Sequence, residues 1–453
     1  MKKSRLRSSF IMAVFIIIFF FSFMIFLRIF TIKILKIDNA FTEFVFGEID
    51  EAKPSENVES TDIDWQVLYP FAEDSKISGD VEKNVVQDNL IVQKAKAFTE
   101  KIEGIKLPLN SYATDLLFGY KQIVEAAKKY DNFLGWNFAS YSEYNGTVQL
   151  SDGHMTSYIE KKDTSENAQS IINFANECKK SGRNFLYVQA PHKICQYEDS
   201  EISGTVDFSN QNADSLLKDI TNAGVDSYDL REAIHDEGLD HHALFYKSDH
   251  HWLTTTGLWA SQKILKYCNT NYGFQSDLSL LDLERFEIKT YPEWFLGSFG
   301  KKVTLARTQP DDFQLLYPRY ETEFHYRVAK ENIDAVHDYS VVYDMEQIDE
   351  KDYYNKNPYA ACNYGDQPLI CITNKQDTSN KKIFILHDSF GDCVISCLAL
   401  GVKDVISLDL RHFNGSVQNY IDKENPDLVV VLYNPTSIEE IDWTTHLNTF
   451  DFR

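Results

Sequence analysis

Two stretches of the sequence carry residues suited to nucleophilic catalysis. The first, YKSDHHWLTTTGLWA, places Asp249 two residues before His251. The second, IFILHDSFGDCVIS, has Ser389 at its centre. A serine hydroxyl becomes a good nucleophile when a histidine removes its proton, and that histidine works best when a carboxylate fixes its tautomer. The pattern therefore predicts that Asp249 and His251 activate Ser389.

The conformations expected for these stretches favour this pairing. Side chains two residues apart in an extended segment point the same way, so Asp249 would orient His251, while His250 is expected to face the opposite way. Trp252 is expected to pack against the following helix or to cap it. Ser389 lies between a predicted strand and a predicted helix, at the sheet edge where open α/β folds bind ligands. Backbone N–H groups at that helix N-terminus are candidates to hold an oxyanion.

Simpler explanations compete for the same residues. A serine at a strand-to-helix junction is often an N-cap, and a histidine in a polar run is often a surface residue. His387 is a rival base, because alternation along the preceding strand turns it the same way as Ser389. We favour His251 as the base.

A metal site is a further alternative for the histidine-rich stretch. Asp240 and His241 form a second acidic-histidine pair upstream, and they would join Asp249 and His251 as ligands. No known ligand spacing matches this set. We therefore predict that the site needs no metal and no other cofactor.

Short apolar strands alternate with helices over much of the chain. Strands are predicted at residues 184–191, 225–230, 382–388, 404–410 and 427–433, and helices at 165–180, 214–222, 253–268, 392–400 and 416–423. This alternation predicts an α/β fold, with a parallel sheet and helices on both faces. The domain is expected to span residues 96–453, and residues 112–130 within it also read as a helix.

The stretch from about residue 269 to 380 interrupts the alternation. It is rich in Tyr, Asp and Arg and contains strand-like pieces such as QLLYPRYETEFHYRV. We predict an inserted, mostly β subregion of the same domain.

The N-terminal part predicts a membrane anchor. Residues 10–27 are uncharged and apolar, long enough to cross a bilayer as a helix, and no small-residue cleavage site follows. We predict a cytoplasmic tail at residues 1–8, an uncleaved transmembrane helix at 9–31 and an acidic spacer at 32–95. The domain is then expected outside the cytoplasm of a single-pass cell-membrane protein.

The overall charge argues against some ligands. The formal net charge is −23 at pH 7. Such a field repels nucleic acid phosphates and anionic lipid headgroups, so neither is expected as a partner.

The motifs resemble those of a known family. SDHHW followed by LTTTG, and the later HDSFGD, resemble the DHHW proteins, relatives of the alginate O-acetylation proteins with an SGNH-hydrolase-like domain. Minor matches are FLGW, APHK and GSFGKK. The resemblance, from about Asp131 to the C-terminal end, implies a flavodoxin-like fold, with Ser389 as nucleophile, His251 as base and Asp249 as orienting acid.

Two further residues are candidates for binding substrate or the oxyanion. Arg411 follows the fourth predicted strand and Asn434 follows the fifth, so both are expected at the sheet edge that carries Ser389. A surface or capping role is the alternative for each.

The resemblance implies an O-acyl transferase, usually of acetyl groups, acting on a cell-surface or exported polysaccharide. Coenzyme-bound acyl groups are cytoplasmic, so a multi-span membrane O-acyltransferase is expected as the partner that delivers the acyl group. Two alternatives remain: a polysaccharide acetyl esterase, with water as the acceptor, or a non-catalytic polysaccharide-binding assembly protein.

Overall fold

The computed structural model describes residues 146–197, 206–305, 307–413, 415–438 and 449–452. The predicted tail, transmembrane helix and spacer, and the predicted helix at 112–130, lie outside these residues. Within the described residues, none of the helices combines the length and the apolar character needed to cross a bilayer.

The described residues form an α/β fold. The strands are β1 (Val148–Gln149), β2 (Met155–Thr156), β3 (Asn184–Gln189), β4 (Ser227–Asp229), β5 (Phe286–Phe295), β6 (Asp311–Pro318), β7 (Phe324–Val328), β8 (Ile333–His337), β9 (Leu369–Asn374), β10 (Lys382–His387), β11 (Asp404–Leu408) and β12 (Leu428–Tyr433). The α-helices are α1 (Ser165–Lys180), α2 (Ser209–Asn222), α3 (Leu230–Asp236), α4 (Thr254–Asn271), α5 (Ser298–Val303), α6 (Ile395–Leu398) and α7 (Val417–Glu424).

The central sheet is mixed. Its eight strands run in the order β4-β3-β12-β10-β11-β9-β7-β8. The first five pair in parallel, as predicted, whereas β9, β7 and β8 pair antiparallel. The prediction of a purely parallel sheet is therefore corrected. The antiparallel strands β7, β8 and β9 come from the inserted subregion, whose other two strands, β5 and β6, form a separate antiparallel pair.

Helices cover both faces of the sheet, because its central strands are apolar on both sides. All six residues of β12 are buried, and β10 is buried except at its first residue. Along β10, Ile385 packs into the cluster that contains Ile264 of α4, whereas Phe384 packs into the cluster that contains Ile171 of α1. Alternation along one strand thus feeds two separate cores.

Two predicted helices have different bounds in the structure. Helix α2 begins at Ser209, five residues before the predicted start. The predicted helix at 392–400 is divided into a 3-10 turn, Ser389–Cys393, and the short α6. The turn is tight because Gly391 and Val394 donate to carbonyls three residues earlier.

Candidate active site

Ser389 lies at the C-terminal end of β10, where the 3-10 turn begins. The N-cap of this turn is Asp388, whose carboxylate accepts a hydrogen bond from the N–H of Phe390 at 3.0 Å. Because Asp388 supplies the cap, the hydroxyl of Ser389 is left for another partner. The N–H groups of Phe390 and Gly391 both donate to Asp388, so they do not form the oxyanion site expected at this helix start.

Asn434 supports the 3-10 turn that begins at Ser389, here called the serine turn. Its backbone N–H donates to Asp388 at 2.8 Å, its amide nitrogen donates to the carbonyl of Pro191 at 3.2 Å, and its amide oxygen accepts from Thr436 at 2.7 Å. The side chain is only 2% exposed. Both ends of the amide are thus engaged within the fold, and a role of Asn434 in substrate binding stays a prediction.

His387 is the last residue of β10, is buried, and lies against Gly391 of the serine turn. Its Nε2 lies 2.6 Å from the hydroxyl of Ser407 on β11, and its Nδ1 lies 2.7 Å from the carbonyl of Asp388. A Cβ at Gly391 would lie 2.2 Å from the imidazole of His387, so only glycine fits there. These contacts of both ring nitrogens favour His251 over the rival His387 as the base.

The DHHW segment is a tight bend instead of an extended strand. Tyr246 donates from its N–H to the carbonyl of His251 at 3.2 Å, which closes the bend. Within it, Asp249 accepts a hydrogen bond from the N–H of His251 at 3.1 Å, as in an Asx turn. The same bend brings the ring of His250 to 3.7 Å from the ring of His251, between centroids. The expectation that His250 faces the opposite way is wrong, because alternation holds only in extended backbone.

The bend and the serine turn meet. Asp249 Oδ1 lies 2.5 Å from His251 Nδ1, and His251 Nε2 lies 2.7 Å from Ser389 Oγ. The carboxylate is buried, which alone would raise its pKa, but His250, His251 and the N–H of Ser298 hold the pKa of Asp249 well below its usual value. An ionised carboxylate can only accept, so Nδ1 carries the proton. Nε2 of a neutral imidazole is then an acceptor for the Ser389 hydroxyl.

The carboxylate of Asp249 is also fixed from the inserted subregion. Its Oδ2 accepts a hydrogen bond from the N–H of Ser298 at 2.5 Å. A Cβ at Gly297 would lie 2.2 Å from the Cβ of Asp249, so the two backbones approach as closely as glycine permits. The GSFGKK motif therefore fixes the position of the Asp249 carboxylate.

Lys193 holds the backbone of the bend. Its ammonium is fully buried and donates to three main-chain carbonyls, of Met155 at 2.8 Å, Tyr246 at 2.5 Å and Asp249. Burial lowers the pKa of Lys193 to about 7, against the opposing attraction of Asp249 and Asp311. The lysine of the APHK motif thus joins the end of β3 to the bend.

Two aromatic residues join the bend to the serine turn. The ring of Tyr359 stacks on His251, with centroids 3.9 Å apart and planes at 12°. Its hydroxyl donates to the carbonyl of Ser389 at 3.1 Å. Trp252 is buried and its Nε1 donates to the carbonyl of Phe390 at 3.1 Å. Its packing role was predicted, although its partner is the serine turn.

Arg411 lies in a cluster of charges beyond β11. Its guanidinium donates to Asp409 at 3.0 Å and to Asp366 at 2.7 Å, and these carboxylates raise the pKa of Arg411 despite its partial burial. Its side chain is 35% exposed. A role in substrate binding stays a prediction, since the structure engages the side chain in ion pairs.

The alternative metal set does not converge. Asp240 caps the backbone N–H groups of His242 and Ala243, and the Nε2 of His241 lies 2.8 Å from the carbonyl of His192. These side chains serve their own loop instead of joining Asp249 and His251.

Sequence reasoning missed the roles of Lys193, Ser298 and Tyr359. APHK and GSFGKK were recognised as motifs, but only the folded chain brings them to Asp249. No sequence pattern marks Tyr359, because one tyrosine among the 25 in the chain carries no signal of its own.

Comparisons with known proteins give one family match. Residues 151–293 match the family model of ALGX, an SGNH hydrolase-like domain of the acetyltransferase AlgX. The matched segment contains Asp249 and His251 and ends before Ser389. Comparison with curated proteins gives no match.

Solved structures share the fold. Bacillus cereus PatB1 is 18% identical, with a TM-score of 0.55, and the alignment covers 68% of this chain and 100% of that one. PatB1 with a sulfonyl adduct is 17% identical, with a TM-score of 0.54 and coverages of 68% and 99%. A DHHW family protein from Eubacterium siraeum is 16% identical, with a TM-score of 0.50 and coverages of 66% and 93%. Likeness at these identities establishes the fold alone.

The predicted resemblance to the DHHW and alginate O-acetylation proteins is confirmed by the family match and the fold. The chain carries an SGNH-like α/β fold with a large mixed sheet. It is an enzyme of the O-acetyltransferase or esterase type.

Proposed function

We propose that the chain is an O-acetyltransferase that modifies a cell-surface or exported polysaccharide, with Ser389 as nucleophile, His251 as base and Asp249 as orienting acid. The observation that carries this proposal is the chain of contacts from Asp249 Oδ1 through the imidazole of His251 to Ser389 Oγ, at 2.5 and 2.7 Å. Ser389 is partly exposed, so a substrate can reach it.

The first half-reaction forms an acyl-enzyme. His251 Nε2 takes the proton of Ser389 as Oγ attacks the acyl carbonyl carbon of the donor. The tetrahedral intermediate collapses, and the imidazolium returns the proton to the leaving oxygen or sulfur of the donor. Asp249 accepts from Nδ1–H and stabilises the imidazolium while it exists.

The second half-reaction transfers the acyl group to the sugar. A sugar hydroxyl gives its proton to His251 Nε2 and attacks the acyl-serine. The bond between the acyl carbon and Oγ then breaks, and Ser389 recovers its proton from the imidazolium. Water in place of the sugar gives the esterase reaction, so the two activities differ only in the acceptor.

The setting of the reaction is part of the proposal. The apolar stretch at residues 9–31 would anchor the chain in the cell membrane with its domain outside the cytoplasm. Acyl groups on coenzyme A are cytoplasmic, so a multi-span membrane O-acyltransferase would carry them across and load Ser389.

The first test is the serine itself. Ser389→Ala is expected to abolish hydrolysis of a chromogenic acetyl ester, because no other hydroxyl is bonded to His251 Nε2 in the described part of the chain. Ser407→Ala is the matched control, since that hydroxyl is bonded to His387 beneath the turn. Unchanged turnover in Ser389→Ala would overturn the assignment of Ser389 as the nucleophile, and no turnover by the wild-type chain would favour a non-catalytic polysaccharide-binding protein.

A second test separates transfer from hydrolysis. The wild-type chain is incubated with an acetyl donor and an oligosaccharide acceptor, and the products are weighed by mass spectrometry. Acetylated oligosaccharide in excess over free acetate supports the transferase. Free acetate alone, at a rate unaffected by the oligosaccharide, would make the chain an esterase.

A further inference from the structure

A second group of ionisable side chains lies where a β-hairpin meets the loop that precedes the DHHW bend. Asp152 and His154 belong to the turn between β1 and β2, and His242 belongs to a short 3-10 turn of the loop. We propose that Asp152, His154 and His242 form a binding site for a divalent transition-metal ion of the Zn²⁺ type, separate from the serine site.

The three ligand atoms converge. Asp152 Oδ2 lies 2.8 Å from His154 Nδ1 and 2.6 Å from His242 Nδ1, and all three atoms lie within 4.8 Å of one another. The two histidines therefore present the same ring nitrogen to one carboxylate oxygen. A tetrahedral ion with bonds of about 2.1 Å needs about 3.4 Å between ligand atoms. A small rotation of Asp152, whose side chain is 37% exposed, gives that opening.

Backbone contacts hold the ligands in place before an ion binds. Asp152 Oδ1 accepts from the N–H of His154 at 3.0 Å, and Leu150 donates from its N–H to the carbonyl of His154 at 2.7 Å. Across the junction, Asp240 caps the N–H of His242 at 3.1 Å. The site is thus preformed from both sides, which reduces the entropy lost on binding.

The degree of burial suits a bound ion with an open position. The side chains of His154 and His242 are 7% and 16% exposed, so the imidazoles are shielded. The more exposed carboxylate leaves a route from solvent and room for a water as fourth ligand. Two imidazoles and one carboxylate favour Zn²⁺, Co²⁺ or Ni²⁺ over Mg²⁺ or Ca²⁺, which prefer all-oxygen sites.

Two other clusters show why this one stands apart. In the group formed by Asp366, Asp409 and His412, the guanidinium of Arg411 already bonds both carboxylates. A metal ion there would have to displace a cation. The group at Asp249, His250 and His251 is engaged with Ser389. Among the described residues, the ion pairs of Asp152 are with the imidazoles of His154 and His242, and none is with a lysine or an arginine.

An ion at this position would fasten the hairpin to the loop. Met155 already donates from its N–H to the carbonyl of Lys247 at 2.8 Å, and Lys193 binds the carbonyls of Met155 and Asp249. The metal would add a bond between the same two segments, at the outer side of the bend. Its expected effect is therefore on stability, and it takes no part in the acyl-transfer steps. The proposal revises the expectation that the chain holds no metal.

The test is a cobalt titration of the tag-free chain after treatment with EDTA. The wild type is expected to develop visible d–d absorption with saturation at one equivalent of high-affinity Co²⁺, and Zn²⁺ is expected to displace it. His242→Gln and Asp152→Asn should each lose this equivalent or weaken it by at least about tenfold. Zn²⁺ should raise the melting temperature of the wild type and not that of the variants.

Controls separate this site from the rest of the chain. His337→Gln changes an exposed histidine outside the cluster and should bind cobalt as the wild type does. Ser389→Ala should also bind it fully, so the metal site and the acyl-transfer proposal are tested independently. No cobalt absorption in the wild type would overturn the proposal. Equal uptake by the wild type and by both folded cluster variants, with circular dichroism as the check on folding, would also overturn it.

Discussion

The serine and the histidine of the candidate site are held in different ways. Ser389 stands at the end of a buried parallel strand, and its turn is capped by the residue immediately before it. His251 lies in an irregular bend, and Asp249 beside it is held from distant parts of the chain: Ser298 donates to its carboxylate and Lys193 donates to its backbone carbonyl. The serine side therefore depends more on regular secondary structure and its local cap, and the histidine side more on contacts from distant parts of the chain.

This difference has a consequence for how the site fails. Regular structure tolerates neighbouring changes, because backbone hydrogen bonds of the sheet keep β10, the strand that leads to Ser389, in register with β11 and β12. The bend lacks such a ladder beyond its closing bonds, so a displaced anchor shifts Asp249 and His251 directly. Substitutions at the anchors should reduce turnover more than they reduce stability.

The largest effect is expected when the carboxylate loses its charge. Asp249→Asn keeps the size of the side chain but no longer stabilises the imidazolium, and its amide favours the wrong tautomer of His251. In Ser-His-Asp enzymes this change lowers kcat by about 10⁴-fold. We expect a loss of about 10³- to 10⁴-fold in kcat on a chromogenic acetyl ester. Asp240→Asn, in the loop that precedes the bend, is the control and should leave kcat unchanged; equal kcat for Asp249→Asn and the wild type would refute the role of the carboxylate.

The next largest loss of kcat is expected at Gly297, whose backbone lies against Asp249. In Gly297→Ala the new Cβ would lie 2.2 Å from the Cβ of Asp249 and 2.6 Å from its Cα, so one backbone must move. A displacement of about 1 Å at a catalytic group costs about 100-fold in rate, and we expect kcat to fall by that order.

A second glycine provides the comparison for Gly297. In Gly401→Ala the new Cβ would meet the Cδ1 of Leu265 at 2.5 Å, in the core and away from the bend. This variant should lose stability in urea unfolding while it keeps kcat. If both glycine variants lost activity and stability in the same proportion, Gly297 would contribute to the stability of the fold and would have no specific role in positioning Asp249.

The same division explains what the sequence could predict. The five parallel strands, which include the strand before Ser389, could be predicted from short apolar runs, which are local signals. The pairing of Asp249 with His251 was also predicted, although for the wrong reason: an extended segment was expected, and an Asx turn brings the two side chains together. The predicted pair is nevertheless present in the structure, because an extended segment and an Asx turn both bring the side chains of Asp249 and His251 close together.

The missed features depend on contacts between distant residues. That β9 and β7 join the main sheet antiparallel is decided by packing of the inserted subregion, which no local pattern encodes. Asn434 was predicted to bind substrate because it follows a strand at the right edge, and only the structure shows that its amide also bridges Pro191 and Thr436. Position at a sheet edge thus identifies candidates, and hydrogen bonding decides between them.

A smaller loss of activity is expected at the buried lysine. Lys193→Met keeps the apolar stem and removes the ammonium, so the carbonyls of Met155, Tyr246 and Asp249 lose their donor. We expect the bend to loosen and kcat to fall by about tenfold, less than for Gly297→Ala because the carboxylate keeps its seat. An unchanged kcat in a folded Lys193→Met chain would show that the backbone of the bend needs no such anchor.

The lysine also predicts a dependence of stability on pH. Its pKa of about 7 in the folded chain lies below the value of about 10.4 expected when unfolded. Between these values the unfolded state binds more protons, so the free energy of unfolding of the wild type should rise with pH from about 7 to about 10. Lys193→Met should lack this rise. Parallel pH profiles of the urea midpoint in the two chains would contradict a depressed pKa.

The smallest effect separates the two contacts of Tyr359, which touches both sides of the site. Tyr359→Phe removes only the hydroxyl that donates to Ser389, so we expect a loss of about 1 kcal/mol in the free energy of unfolding and little change in kcat. Tyr359→Leu also removes the ring stacked on His251, and kcat should fall further. Kinetics and urea unfolding of both variants decide the point. A clear loss of kcat in Tyr359→Phe, with no additional loss in Tyr359→Leu, would mean that the serine turn is the side that needs tertiary support.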